Sequence, residues 1–197
     1  MTSRPFFFPD NTVLINVALI ERVDLLERFV RGRGRWCASI EYEWRRSQKV
    51  LGLHEADPQV RRLCGKAIHP DHADHVDITV LHDQMRSPGD GPTKHLGEAE
   101  TIVIIRRRAE FRGSVFLTDD RGAQDYALSE HAVSHCLGTA DLLAYFEVAG
   151  WMSRAEAHAC LETLRRERRH VRHADPAAYN GLVEGLLRRF KQKGRRR

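Results

Sequence analysis

Apolar residues in this chain fall into short runs of two kinds, and their alternation predicts a fold class. Phe6–Phe8 is too short for a helix, is closed by Pro9, and predicts a buried strand. "NTVLINVALI" (11–20) then places Val13, Leu14, Val17 and Ala18 at helical spacing, with Asn11 or Thr12 as the expected N-cap. A second amphipathic helix follows in "VDLLERFVRG", ending at Gly32. "RWCAS" (35–39) predicts a second strand, and "SIEYEWRRSQKVLG" a helix with Ser39 near its start. The stretch 53–75, rich in His, Asp and Pro, shows no clean period. "DITVLHDQM" resumes a helical pattern, and "RSPGDGPTKH" is a loop full of breakers. "LGEAETIVIIRRRAEF" predicts a helix with an acidic start and a basic end, matching its dipole. "SVFLTDD" is the most strand-like run, followed by the helix "RGAQDYALSEH", the strand "AVSHCLGT" and the helix "ADLLAYFEVAGW". Strands alternating with helices imply an α/β fold, with a central, mostly parallel sheet covered on both faces.

Two further helices are expected beyond Trp151. "SRAEAHACLETLRRERRHV" opens on Ser153 and Glu156, the spacing of a capping box, and "PAAYNGLVEGLLRRF" follows Asp175. We divide the chain into a main domain (1–150), a C-terminal helical extension (151–190) and a basic tail (191–197).

The chain has 197 residues, 42% of them hydrophobic, enough to fill one core. No apolar run approaches the roughly 18 residues of a membrane span, and the start of the chain lacks a secretory pattern. Four separated cysteines without a CxxC read as buried thiols. A cytoplasmic protein with no membrane partner is expected. The net charge of +5 is concentrated in "LLRRFKQKGRRR", without which the body is nearly neutral. Arg188, Arg189, Lys191 and Lys193 are therefore candidate phosphate contacts, against the plainer reading of a solvated terminus.

The acids change the picture most. Asp10 and the pair Asp119-Asp120 stand at the carboxyl ends of predicted strands, where ligands bind in open α/β sheets. Glu43 lies in the helix after the second predicted strand, and Glu98 in the first turn of another. Carboxylates gathered in one pocket raise each other's pKa and call for cations. Mg²⁺ or Mn²⁺ suits such oxygen ligands. The plainer reading is that Glu98 or Glu100 favours a helix N-terminus and that Asp119-Asp120 forms a turn.

In their order along the chain, "PDNTVLIN", "SIEYEWRR", "LGEAETI", "VFLTDDRGAQDYA" and "LGTADLL" resemble PIN-domain nucleases of the PilT N-terminus type, the family of VapC-like toxins. The resemblance covers residues 5 to 150. It implies a three-layer α/β/α fold and a metal-dependent ribonuclease that hydrolyses RNA with Mg²⁺ or Mn²⁺. Asp10, Glu43, Glu98 and Asp120 would be the catalytic metal ligands, with Asp119 as the adjacent alternative and Asn16 and Thr118 as polar supports. The resemblance also implies a small antitoxin protein as partner and a homodimer. The order Asp10-Asn11-Thr12 departs from the family's usual Asp-Thr-Asn. Glu41 competes with Glu43, and Glu100 with Glu98; positions two apart on a helix point nearly opposite ways, and we take Glu43 and Glu98. The alternative is a PIN-like module that binds nucleic acid or protein with little or no catalysis.

Other motifs carry less. "HPDHADHVD" spaces His69, His72 and His75 three apart, which suits transition-metal ligands, a solvated polar face or substrate contact. "RGRGR" is not a P-loop, and no GxSxG nucleophile motif is present.

Overall fold

A computed structural model describes residues 4–194 of the chain. Of the basic tail, 195–197 and the Lys193 side chain lie outside the described residues. The fold is mixed α/β and mostly helical. A small, wholly parallel sheet runs in the order β1 (Phe7–Pro9), β2 (Ser114–Leu117), β3 (Val133–Leu137). The described residues hold ten α-helices: α1 (Asn11–Leu19), α2 (Val23–Val30), α3 (Ala38–Val50), α4 (Asp57–Cys64), α5 (His72–Met85), α6 (Leu96–Arg107), α7 (Arg121–Ser129), α8 (Thr139–Val148), α9 (Arg154–Arg166) and α10 (Pro176–Gly194).

Strand alternation sorts the core into two clusters. Phe7, Val115 and Leu117 turn to one face, which they share with α1, α2, α4 and α8. Phe8 and Phe116 turn to the other, against Ile78 of α5, Ile102 and Ile105 of α6 and Ala123 of α7. Such two-sided burial explains why β1 and β2 read as apolar runs, whereas β3 (VSHCL) is partly exposed. The register sets Phe7 opposite Val115 and Pro9 opposite Leu117, and the Asp10 amide donates to the Leu117 carbonyl at 2.8 Å. Asp10 therefore leaves β1 at the same edge where Thr118, Asp119 and Asp120 leave β2.

Residues 35–39, expected as a strand, are not one. The Arg35 amide bonds to the Phe7 carbonyl, and Phe7 bridges Gly34. Trp36 and Ala38 pair instead with Ile68, so the extended backbone is split between two neighbours and α3 begins at Ala38. Gly34 permits this passage, because a Cβ there would sit 2.4 Å from the Leu63 carbonyl oxygen of α4. The unassigned stretch 53–75 holds a 3₁₀ turn (His54–Ala56), α4 and the start of α5, whose Asp71 and Asp74 form a capping box.

The C-terminal helices are part of the main core. Leu161 and Leu164 of α9 and Tyr179 and Val183 of α10 are buried in the same cluster as α1 and α8. Ser153 and Glu156 make the expected capping box. The helix α10 runs on through Gly194, past the boundary drawn at residue 190.

Candidate metal centre

The acids at the sheet's carboxyl edge have local tasks as well as a shared location. Asp10 caps α1: its Oδ2 accepts from the Thr12 amide at 3.2 Å and from Thr12 Oγ1 at 2.6 Å. Asp120 caps α7, with Oδ1 accepting from the Ala123 amide at 2.8 Å. The expected cap of α1 was Asn11 or Thr12; the structure places it one position earlier. Thr118 steadies Asp120, its Oγ1 accepting from the Asp120 amide at 3.1 Å.

Glu43 has no such task, and Glu98, in the first turn of α6, has only His95 beside it. Both glutamates line one cleft of about 690 Å³ with Asp120, Ser39, Tyr42 and His95. Glu43 makes no hydrogen bond or ion pair among the described residues. Gly97 gives it room, since a Cβ there would fall 2.9 Å from Glu43 Oε1 and 2.4 Å from Ile40 Cδ1. The Gly97-Glu98 pair thus lets α6 pass close to α3 and brings the two carboxyls together.

Electrostatics records the crowding. Burial, then the negative charges of Asp10 and Glu100, push Glu43 up to about 7. Burial, then Asp10, Asp120 and Glu43, push Glu98 up to about 9. Asp10, only 3% exposed, is also raised, chiefly by burial; its Thr12 bonds oppose this and Asp120 adds to it. Like charges driving one another toward the neutral form are what a bound cation relieves.

The structure separates the ambiguous pairs unevenly. Glu41 turns away to Arg61 at 2.8 Å and Arg45 at 3.6 Å. Glu100 accepts from the Ser39 amide at 3.3 Å and from its hydroxyl, holding the first turn of α3, yet it still borders the cleft. Asp119 is not brought to the cluster. Its carboxylate accepts from the Thr139 amide (2.8 Å) and hydroxyl and from Asn16 Nδ2 (2.9 Å), pinning α8 and α1 to the strand end. A Cβ at Gly138 would lie 2.7 Å from Asp119 Oδ1. Burial raises Asp119, and these bonds oppose the rise. Asn16 accordingly supports Asp119 and not the four clustered acids.

One residue here was not singled out from the sequence. His95 precedes α6 in a left-handed conformation (φ 66°), with Nδ1 3.5 Å from Glu98 Oε2. Ligand atoms of His95, Glu98 and Asp120 all lie within 4.8 Å of one another. Ligands on one ion with bonds near 2.1 Å sit at most about 4.2 Å apart, so a few tenths of an ångström of movement would close the group. The available signal was a histidine three residues before an acid at a helix start, the separation at which helical neighbours meet. The series His69, His72, His75 forms no such group among the described residues. Its neighbours Asp74 and Asp77 are taken by Arg106, Arg107 and Arg108 at the C-terminal end of α6, and His69 and His75 border the acidic cleft.

Arg188, Arg189 and Lys191 are exposed on α10, which packs on α8, and line neither this cleft nor the one beside it. Another cleft, of about 780 Å³, gathers mixed charges including Arg22, Asp24 and Glu55, and none of the four clustered acids lines it. Among the described residues, no helix is long and apolar enough to cross a membrane. Comparison with protein-family models, with curated proteins and with solved structures finds no match for this chain.

Proposed function

We propose that this protein is a metal-dependent ribonuclease with a three-layer, PIN-like α/β/α domain. The observation that carries the reading is the gathering of Glu43, Glu98 and Asp120 in one cleft, with Asp10 close enough for its charge to raise both glutamates; Glu43 has no hydrogen-bond or ion-pair partner among the described residues that would explain its burial. Asp10, Glu43, Glu98 and Asp120 offer the oxygens that Mg²⁺ or Mn²⁺ prefers, and His95 adds one nitrogen. A divalent ion held by these residues would neutralise the carboxylates and supply the Lewis acidity that phosphodiester hydrolysis needs. The protein's own part is positional. The caps of α1 and α7 fix Asp10 and Asp120 through one oxygen each, and Gly97 fixes the spacing of Glu43 from α6. A toxin role with a small antitoxin partner, a homodimer and a cytoplasmic site of action belong to the same proposal through the family resemblance.

The rival reading, a PIN-like module that binds RNA without cutting it, is favoured by one observation: as N-caps, Asp10 and Asp120 are explained by the fold alone. The two readings part in one experiment. Purified protein and Asp10→Asn are incubated with labelled single-stranded and structured RNAs, in Mn²⁺ or EDTA. Asparagine still caps a helix, so the variant is expected to fold and to lose cleavage. Full activity in Asp10→Asn would refute the nuclease assignment, and RNA bound but never cut would favour the module.

A further inference from the structure

The segment joining α9 to α10 crosses the carboxyl edge of the sheet. Arg169 donates from Nε to Asn16 Oδ1 of α1 at 2.8 Å. Arg172 donates from Nη1 to Gln124 Oε1 of α7 at 3.3 Å, and Gln124 in turn donates to the Thr118 carbonyl at 2.6 Å. The segment therefore reaches the two helices whose N-caps are Asp10 and Asp120.

The Arg169 contact is set by a buried amide. Asn16, 1% exposed, spends Nδ2 on Asp119 and on Thr139 Oγ1, which leaves Oδ1 to receive the guanidinium. Only Nε of Arg169 is engaged; its two Nη groups have no partner among the described residues, and no acid pairs with it. Arg46, exposed on α3, likewise makes no ion pair or hydrogen bond there. Arg46 and Arg169 line a cleft of about 320 Å³ together with Asn11, Ser47 and Glu43. Glu43 and Arg46 also line the larger acidic cleft, so the two clefts meet along that pair. Two guanidiniums without an acid partner among the described residues, that of Arg46 lying over the Tyr42 ring at 5.9 Å, stand beside an acidic cluster, arranged to hold phosphates that the acids alone would repel. The planar fork of arginine suits this, gripping phosphate through two parallel N–H donors.

We propose that Arg169, pinned by Asn16, and Arg46 bind backbone phosphates of the substrate strand beside the acidic cluster, which makes the C-terminal extension a working part of the cleft. This rests on the nuclease reading and deepens it by naming residues that seat the strand. The competing role for Arg169 is a strut that ties α9 and α10 to α1 with no ligand involved.

Salt dependence separates the two. Each phosphate contact on a single strand contributes about 0.7 to the slope of log affinity against log salt. Binding of a short fluorescent single-stranded RNA is measured by anisotropy over a series of KCl concentrations, in EDTA so that nothing is cut. Arg169→Gln and Arg46→Gln are each expected to reduce the slope by about 0.7, and the double variant by about 1.4. Arg169→Lys, which keeps the charge, should restore most of it. A lowered melting temperature for Arg169→Gln with an unchanged slope would leave only the strut. Arg46 lies on an exposed helix face, so its variant reads the slope free of any folding defect. Wild-type protein that binds no RNA in EDTA would remove this inference, while cleavage with Mn²⁺ decides the ribonuclease reading separately; tight wild-type binding with slopes unmoved by either variant would likewise remove this inference alone.

Discussion

Glutamine at position 43 removes a charge without changing shape, and the structure fixes the sign of what should follow. Glu43 titrates near 7 instead of the ordinary 4.5, first because it is buried and then because Asp10 and Glu100 lie close. Between those values the folded chain holds a proton that the unfolded chain has released. The stability gained by keeping this carboxyl neutral is complete below about pH 4.5 and is lost as pH rises through 7. At about 1.4 kcal/mol per pH unit, the metal-free protein gives up as much as about 3 kcal/mol over that interval. Glutamine has no proton to lose and no charge to add to Glu98, so Glu43→Gln should melt above wild type at pH 8 in EDTA. For a chain of this size the difference corresponds to about 6–12 °C, shrinking to nothing near pH 4.5. With saturating Mn²⁺ the order should reverse, because an ion bound only by the folded state stabilises wild type in proportion to its affinity. Thermal melts followed by circular dichroism, at both pH values and with Mn²⁺ or EDTA, test each part. A variant no more stable than wild type at pH 8, or equally favoured at both pH values, would refute the argument that crowded carboxyls oppose folding.

Two further substitutions test how the site is built. Gly97→Ala would drive a Cβ toward Ile40 and Glu43 Oε1; we expect a loss of about 1–3 kcal/mol in urea unfolding and a smaller Mn²⁺-induced rise in melting temperature. Asp119→Ala strands the buried Thr139 amide and hydroxyl without an acceptor and leaves Asn16 Nδ2 only Thr139 Oγ1, and should cost about 2–3 kcal/mol, whereas Asp120→Ala loses one cap at about 1 kcal/mol. The same urea titrations compare them, and a larger loss at Asp120 would contradict the division between a structural and a metal-facing acid.

Periodicity conveyed the helices well because most are amphipathic or bounded by strong punctuation. The Ser153–Glu156 box and Asp175, whose Oδ1 accepts from the Ala178 amide at 2.9 Å, are signals a backbone can satisfy locally. Residues 35–39 failed because a strand requires a partner as well as extended backbone, and Trp36 finds its partner at Ile68, far along the chain. Helix geometry told only that Glu41 and Glu43 point different ways; Arg61, which draws Glu41 aside, is met only in the folded chain. Glu98 against Glu100 was legible only in part, since the N-terminus of α3 comes close enough to α6 to draw Glu100 to the cleft's border. His95 escaped because its position depends on a left-handed backbone conformation inside a loop. Arg169 escaped for a more general reason. Its partner Asn16 is 153 positions away, and no local pattern encodes that meeting.

Why acids stand at these two strand ends has one physical answer for both readings of the protein. A strand that ends beneath a helix leaves the first amides of that helix unpaired, and an aspartate at the junction satisfies one of them. The same junction lies at the edge of a parallel sheet, where neighbouring strands deliver their own junctions a few ångströms away. Capping alone would be served as well by asparagine or serine, which bring no repulsion. Asp10 and Asp120 instead add charge to a pocket where Glu43 and Glu98 are already pushed toward neutrality, a choice that opposes folding of the metal-free chain. Each cap engages a single oxygen, and Asp120 also lines the cleft. Two aspartates where neutral caps would do, facing Glu43 with no partner among the described residues and Glu98 with only His95, would be accounted for together by a cation, whereas the fold by itself accounts for the caps alone.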